Sequence, residues 1–430
     1  MSAPLDAESR LPHWLDSERD RQLDFLRAFT RIDTCNPPGD TTQAADLFRQ
    51  FLDAEGIAHR TEAPQPSTPN LIASFAGGAG RGRHLVLNGH LDVFPVGDRA
   101  AWSRDPWSGE VVDGRVHGRG TVDMKCGTTA LLFVFAYLHR LRDALPGRVT
   151  LTVVSDEETG GRWGSAWLVE NCADVLGDCV LNTEPSGLQT VRFGEKSMLW
   201  LRFRIAVPGG HSAYPHTGGS ANKVAAQLIG ELLAIEAMTP DEPDVVRRML
   251  DRGAVQKAID QSLGAGATGV MRRVSVNIGV LQGGVKINML PAECLLEVDF
   301  RLPVGISRAA VLAAVAAIVA RYPMVAFEEL LPGGPEANWS DPTHEMVGHL
   351  VRNAASALGY EPQPIVSLGG TDTRFWRMKG VPAFVYGCSP AGMGAADESV
   401  SIAEFHHVLR VHALAARDYL IASGNRLTTT

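Results

Sequence analysis

The sequence predicts an α/β fold: a mostly parallel sheet covered by helices, with a smaller α+β domain inserted into it. Three observations predict this. Stretches with strand character alternate with helical ones from "NLIASF" through "HLVLNGHLDVF", "VTLTVVSDEE" and "CVLNTEP", the pattern of a sheet built from crossover units. The run 85–87 is apolar without a break, and 149–154 is interrupted only by threonines, as in strands covered on both faces. From about residue 193 the pattern changes to strict alternation, beginning with "MLWLRFRIAV". That is the mark of a sheet with one face open to water.

Taken in order, residues 1–20 read as a loose arm. "RDRQLDFLRAFTRI" has helical spacing and is stopped by "CNPPGD". "TTQAADLFRQFLDAEG" is a second helix that ends at Gly56. Further helices are expected after Met124 and over 164–171. In the inserted domain a helix over 222–236 leads to a polar, irregular stretch. Two more alternating strands, "VSVNIGVLQGG" and "CLLEVDFRL", and the Ala-rich helix "SRAAVLAAVAAIVARY" follow. "PIVSLGGTDTRFW" and "VPAFVYGCSP" return to short apolar strands that complete the first sheet. The expected division is 1–192 and 307–430 for the main domain, with 193–306 inserted.

The chain has 430 residues, 45% of them hydrophobic and 20% charged. That supplies more than one ordinary domain and a sizeable core. The net charge of −8 is of mixed sign and points to no nucleic-acid partner. Six scattered cysteines without a CxxC pair read as reduced thiols. With no apolar signal segment and no run of about 18 apolar residues, the expectation is a cytoplasmic protein with no membrane span.

Chemistry collects where the strands of the first domain end. His90 and Asp92 follow one apolar strand, Asp123 precedes a helix, Glu157 and Glu158 follow another strand, and Glu184 a third. In an open parallel sheet the carboxyl ends of the strands form the ligand edge. One imidazole and several carboxylates gathered there need a cation. Mixed nitrogen and oxygen ligands suit zinc, manganese or cobalt. Each residue alone has an ordinary reading, a solvated DEE turn or a helix-capping Asp123. Their shared position at strand ends favours the metal. Glu157 and Glu158 are adjacent, so an extended segment would point them to opposite sides.

The motifs "NGHLDVFPVGD", "GRGTVDMKCG", "DEETGG", "NTEPS", "PGGHSAYPHTGGSAN", "INMLPAECLLEVDFRLP" and "LGGTDTRFW" together resemble the metallohydrolase family of acetylornithine deacetylase, succinyl-diaminopimelate desuccinylase, aminoacylase and glutamate carboxypeptidase. The resemblance covers nearly the whole chain. It implies a metallopeptidase-like catalytic domain with a two-metal centre and an inserted lid domain that mediates dimerisation. It implies metal ligation by His90, Asp123, Glu158 and Glu184, with Asp92 orienting His90. Glu157 would be the general base on a metal-activated water. His211 would stabilise the oxyanion across a homodimer, and Asn288 and Arg301 would contact a substrate carboxylate. The chain departs from the pattern at one point. Such proteins carry a His three residues before a terminal "DE" pair, and here that position is Gly394. No His lies between 350 and 405, and His406 and His407 fall in what reads as a final helix, at its surface. One firmly held metal, with a second weak or absent, is therefore expected.

The resemblance implies hydrolysis of a C–N bond in a small molecule, an N-acyl amino acid or a peptide-like amide. Two alternatives stand beside it. One is an aminohydrolase that replaces an aromatic amino group by hydroxyl, as in nitroanthranilate deamination, with Trp163, Tyr214, Phe375 or Trp376 lining the pocket. The other is a non-catalytic binding member of the family.

Overall fold

The computed structural model describes residues 7–427. Among them, nine strands form one sheet. Its middle runs Arg148–Val154, His84–His90, Cys179–Asn182 and Ala383–Val385, all parallel. Asn70–Ala76 and His59–Glu62 continue the sheet antiparallel on one side. On the other side lies Thr190–Glu195, paired with Asn338–Trp339 and, in parallel, with Gln363–Ser367. Leu85, Val86 and Leu87 are fully buried, which is why that segment carries no polar side.

The helix Cys126–Arg140 is buried without a break from Cys126 to Leu138. By length and composition Thr121–Arg140 could cross a membrane, yet 94% of its apolar window is buried inside the protein. It is the core helix, packed against the sheet and the long helix Ile402–Leu427. Its close approach fixes the functional edge. A Cβ on Gly89 would lie 2.8 Å from Thr128 Oγ1, and one on Gly127 would lie 2.6 Å from the Thr183 carbonyl oxygen. Glycine at both places lets the start of the helix rest on the strand ends from which His90 and Glu184 emerge. Thr128 Oγ1 also donates to the His90 carbonyl at 2.7 Å.

The loose arm expected at the N-terminus is instead ordered from residue 7. Ala7–Ser17 is a helix that buries Leu11 and Leu15 and packs on the C-terminal helix. Pro12 within it hid the i, i+4 pair. Residues 1–6 of the arm lie outside the described residues. Arg140 and Arg21 each pair with both Glu18 and Glu55, tying this region down.

A second sheet is antiparallel, in the order Ser275–Gly283, Glu293–Leu302, Ser197–Ala206, Val325–Glu329. Residues along Ser197–Ala206 alternate between the core and the open face, as the sequence predicts. Helices Ala221–Leu233 and Arg308–Val319 cover the inner face, so this packing unit takes in residues beyond 306. The stretch read as irregular contains three short helices, Asp244–Leu250, Gly253–Leu263 and Ala267–Met271. They pack into the core of the first unit through Val246, Leu250, Val255, Ile259 and Met271. All six cysteines are unpaired.

Candidate metal centre

His90 is the last residue of its strand and is fully buried as a side chain. Its Nδ1 donates to the Asp92 carbonyl oxygen at 2.8 Å. That bond leaves Nε2 as the nitrogen facing the acids. Asp123 Oδ1 and Glu184 Oε1 each lie 3.3 Å from it. Asp123 sits on the irregular turn 121–125 that leads into the core helix, with extended backbone angles of φ −116 and ψ 102. Glu184 lies two residues past its strand, and its N–H donates to Asn182 Oδ1 at 2.7 Å. Glu157 and Glu158 do not occupy an extended segment. They form the single helical turn Glu157–Thr159, entered through Asp156 at φ 76. A 3-10 turn separates adjacent side chains by about 120° rather than 180°, so both can face the same space. The groups His90–Asp123–Glu158 and His90–Glu157–Glu184 each have potential ligand atoms within 4.8 Å of one another.

The donor set fits a divalent cation. His90 Nε2, Asp123 Oδ1 and Glu158 Oε1 are buried and have no hydrogen-bond partner. Buried polar atoms are rarely left so, and these three are the imidazole and carboxylate donors a divalent transition metal takes. The electrostatics agree. Burial, reinforced by Asp123, pushes Glu158 and Glu184 well above the ordinary carboxylate range. Burial opposes charge on His90, but the negative carboxylates of Asp123 and Glu184 beside it outweigh that and raise His90 well above its usual value. A cation relieves both stresses, because it replaces the proton that the acids would otherwise share.

Around the cluster, Asp92 acts as a brace. Its carboxylate lies 3.6 Å from His90 Nδ1, so the orienting contact to that ring comes from the Asp92 main chain. The carboxylate accepts from the N–H groups of Glu157 and Glu158 at 3.2 and 3.1 Å, and from Asn36 Nδ2 at 2.9 Å. It thereby fixes the turn that carries both acids. Arg374 donates from Nη1 to Glu157 Oε1 at 3.1 Å. Neither Asn36 nor Arg374 was singled out by sequence. Arg374 stands inside "LGGTDTRFW", a motif that pointed to the region without assigning its residues.

Gly394 has φ 71, is exposed, and would have open space around a Cβ. Its carbonyl accepts from Arg119 Nη2 at 3.0 Å, while Arg119 Nη1 pairs with buried Glu398 at 2.6 Å. Glu398 in turn accepts from the Val122 N–H at 2.8 Å and the Asp123 N–H at 3.3 Å. The terminal "DE" pair thus supports the turn under Asp123 although the neighbouring ligand position is glycine. His406 and His407 are partly buried rather than surface residues; His407 Nε2 lies 2.7 Å from the Tyr386 hydroxyl.

Three expected site residues are not brought to the cluster within the chain. His211 is exposed on the short strand Gly210–His211, paired with Met289–Leu290, and its Nδ1 accepts from the Ala213 N–H at 3.1 Å. Asn288 lies on the facing strand-like tip, its carbonyl accepting from the Ser212 N–H at 3.0 Å. Arg301 pairs with Asp299 on its own strand at 2.9 Å. Among the described residues, none of the three has a hydrogen bond or ion pair to the cluster.

The sequence pattern of peptidase family M20/M25/M40 matches residues 86–418. A succinyl-diaminopimelate desuccinylase of Cereibacter sphaeroides is 30% identical over 385 residues, spanning 87% of this chain and 92% of that protein. Among solved structures, an M20 family metallo-carboxypeptidase from Sulfolobus solfataricus superposes with a TM-score of 0.77 at 17% identity, covering 94% of this chain and 100% of that one. A dinuclear metal-binding M20 peptidase of Bacillus subtilis superposes at 0.62 and 17% identity, covering 94% and 98%. At that identity these two show the fold alone. The chain belongs to peptidase family M20/M25/M40 and is a metal-dependent hydrolase acting on amide C–N bonds.

Proposed function

We propose that the protein hydrolyses the amide of a small N-acyl amino acid or peptide-like substrate that carries a carboxylate. The observation that carries this is the trio of partnerless buried donors, His90 Nε2, Asp123 Oδ1 and Glu158 Oε1. In this reading His90, Asp123 and Glu184 hold one zinc, manganese or cobalt ion firmly. Glu158 shares the second position, which is weaker because Gly394 offers no side chain. Such an ion supplies Lewis-acid polarisation of the amide carbonyl and makes water easier to deprotonate.

The chain's own groups do the rest. Glu157 takes the proton from the attacking water and returns it to the leaving amine, so that the C–N bond breaks without a free amide anion. Asp92 keeps the Glu157–Glu158 turn in place through two main-chain N–H groups. His211 stabilises the developing oxyanion of a partner's site in a homodimer. Its exposure at a lid tip, without contact to its own cluster, supports that role. Asn288, close to His211, and Arg301 contact the substrate carboxylate. The six unpaired cysteines suit the cytoplasm.

The desuccinylase relatives favour amide hydrolysis over release of an aromatic amine. Trp376 is fully buried and bonded to the Val175 carbonyl, Phe375 packs beside Gly161, and Tyr214 is on the lid. The test is a substrate panel with added zinc, manganese or cobalt. Turnover of acyl amino acids or dipeptides is expected. Turnover of aminobenzoates alone would move the assignment to aromatic deamination, and turnover of nothing in a metal-loaded protein would make it a binder.

A further inference from the structure

Arg374 is 4% exposed. A guanidinium is buried at considerable cost unless it is paired. Among the described residues its side chain donates one hydrogen bond, from Nη1 to Glu157 Oε1 at 3.1 Å. Among the same residues, Glu157 accepts a side-chain hydrogen bond at Oε1 and none at Oε2. The side chain is therefore tied at one oxygen and free at the other.

The element that carries Arg374 is anchored on both sides. It lies in the first turn of the short helix Thr373–Met378. Trp376 Nε1 donates to the Val175 carbonyl at 2.9 Å. Arg377 donates twice to the Ala383 carbonyl, at 3.0 and 2.9 Å, and pairs with buried Glu195 at 3.3 Å. Glu195 also accepts from the Thr371 N–H at 3.1 Å just before the helix. The Arg374 guanidinium rests 4.6 Å from the centre of the Phe375 ring, and a Cβ on Gly161, on the loop that follows Glu157, would lie 2.8 Å from that ring's Cε2. These contacts leave Arg374 little freedom to follow a moving carboxylate.

We propose that Arg374 is a positioning residue for the base: it holds Oε1 of Glu157 and presents Oε2 to the proton. This rests on the assignment of Glu157 as the base. Placement of this kind matters because a reacting group displaced by about 1 Å can lose roughly two orders of magnitude in rate.

The experiment is a kinetic cycle on metal-loaded full-length protein with an N-acyl amino acid substrate, using Arg374→Met, Arg374→Lys, Glu157→Gln and the double variant Arg374→Met with Glu157→Gln. Melting temperature and metal content are recorded for each. Arg374→Met should lower kcat by about 10- to 100-fold with KM within about threefold, and Arg374→Lys should recover much of it. In the Glu157→Gln background, Arg374→Met should change the residual rate by less than about threefold. A crystal structure of Arg374→Met should show Glu157 in more than one rotamer. An equal loss in both backgrounds, a loss confined to KM, or an unchanged kcat per metal-loaded molecule with Glu157 still in one rotamer would each overturn the proposal. Should Arg374→Met not fold, the double variant, which removes both charges together, and Arg374→Lys carry the comparison. If Glu157→Gln itself turns over normally, the assignment of the base fails, and the rotamers of Arg374→Met still decide what Arg374 holds.

Discussion

Glu157, the proposed base, is held at several of its atoms. Its main-chain N–H is bound by Asp92, its Oε1 by Arg374, and burial raises its pKa despite Arg374 and His90. Replacing it by Gln keeps the shape and removes the proton acceptor. Glu157→Gln should lower kcat by about two to four orders of magnitude while elemental analysis still finds metal; near-normal turnover would remove it from the role of base. The place of the cluster was legible in the sequence because His90, Glu157, Glu158 and Glu184 stand at or just past apolar strands and Asp123 just before a helix. What could not be read was how each side chain is held. The extended geometry expected for Glu157 and Glu158 fails because Asp156 turns the chain through a positive φ. The Asp92 carboxylate supports that turn, a pairing across 65 residues that no local pattern records.

At the level of elements, the parallel strands were readable because burial on both faces removes polar residues from them. The three helices between 244 and 271 were not. Each is short, and their apolar residues answer to the core of the other unit, so no sustained period appears. The C-terminal helix carries a further consequence. His412 is fully buried and donates from Nε2 to the Tyr386 carbonyl at 2.7 Å. Burial, aided by nearby His407, holds it down to about 4 from an ordinary 6.5, although the Tyr386 bond works the other way. Between those values the unfolded chain binds a proton that the folded one does not. Stability from this group is therefore present above pH 6.5 and is lost as pH falls toward 4, by on the order of 3 kcal/mol. His412→Gln keeps a donor and cannot titrate. Its melting temperature should fall less steeply from pH 6.5 to 4 than that of the parent, and parallel slopes would show that His412 is not the group responsible.

For the whole molecule, the proposal to test is that His211 completes the cluster of a partner in a homodimer. In the proposed homodimer, mixing Glu157→Gln chains with His211→Ala chains would create heterodimers with one site intact in both residues. Activity should rise above either parent; confirmed exchange without recovery would place His211 outside the site. The motif order along 430 residues pointed to a lid inserted in a metallopeptidase-like fold, whereas the proposed assembly depends on surfaces that sequence periodicity does not encode. The centre itself is tested most directly by titrating metal-stripped protein with zinc or manganese and following heat and bound metal per chain. One tight ion per chain, lost in His90→Ala and kept in Glu157→Gln, with a second that binds much more weakly, is the result expected from intact His90, Asp123 and Glu184 beside Gly394. Two equally tight ions per chain, or tight binding that survives His90→Ala, would contradict it.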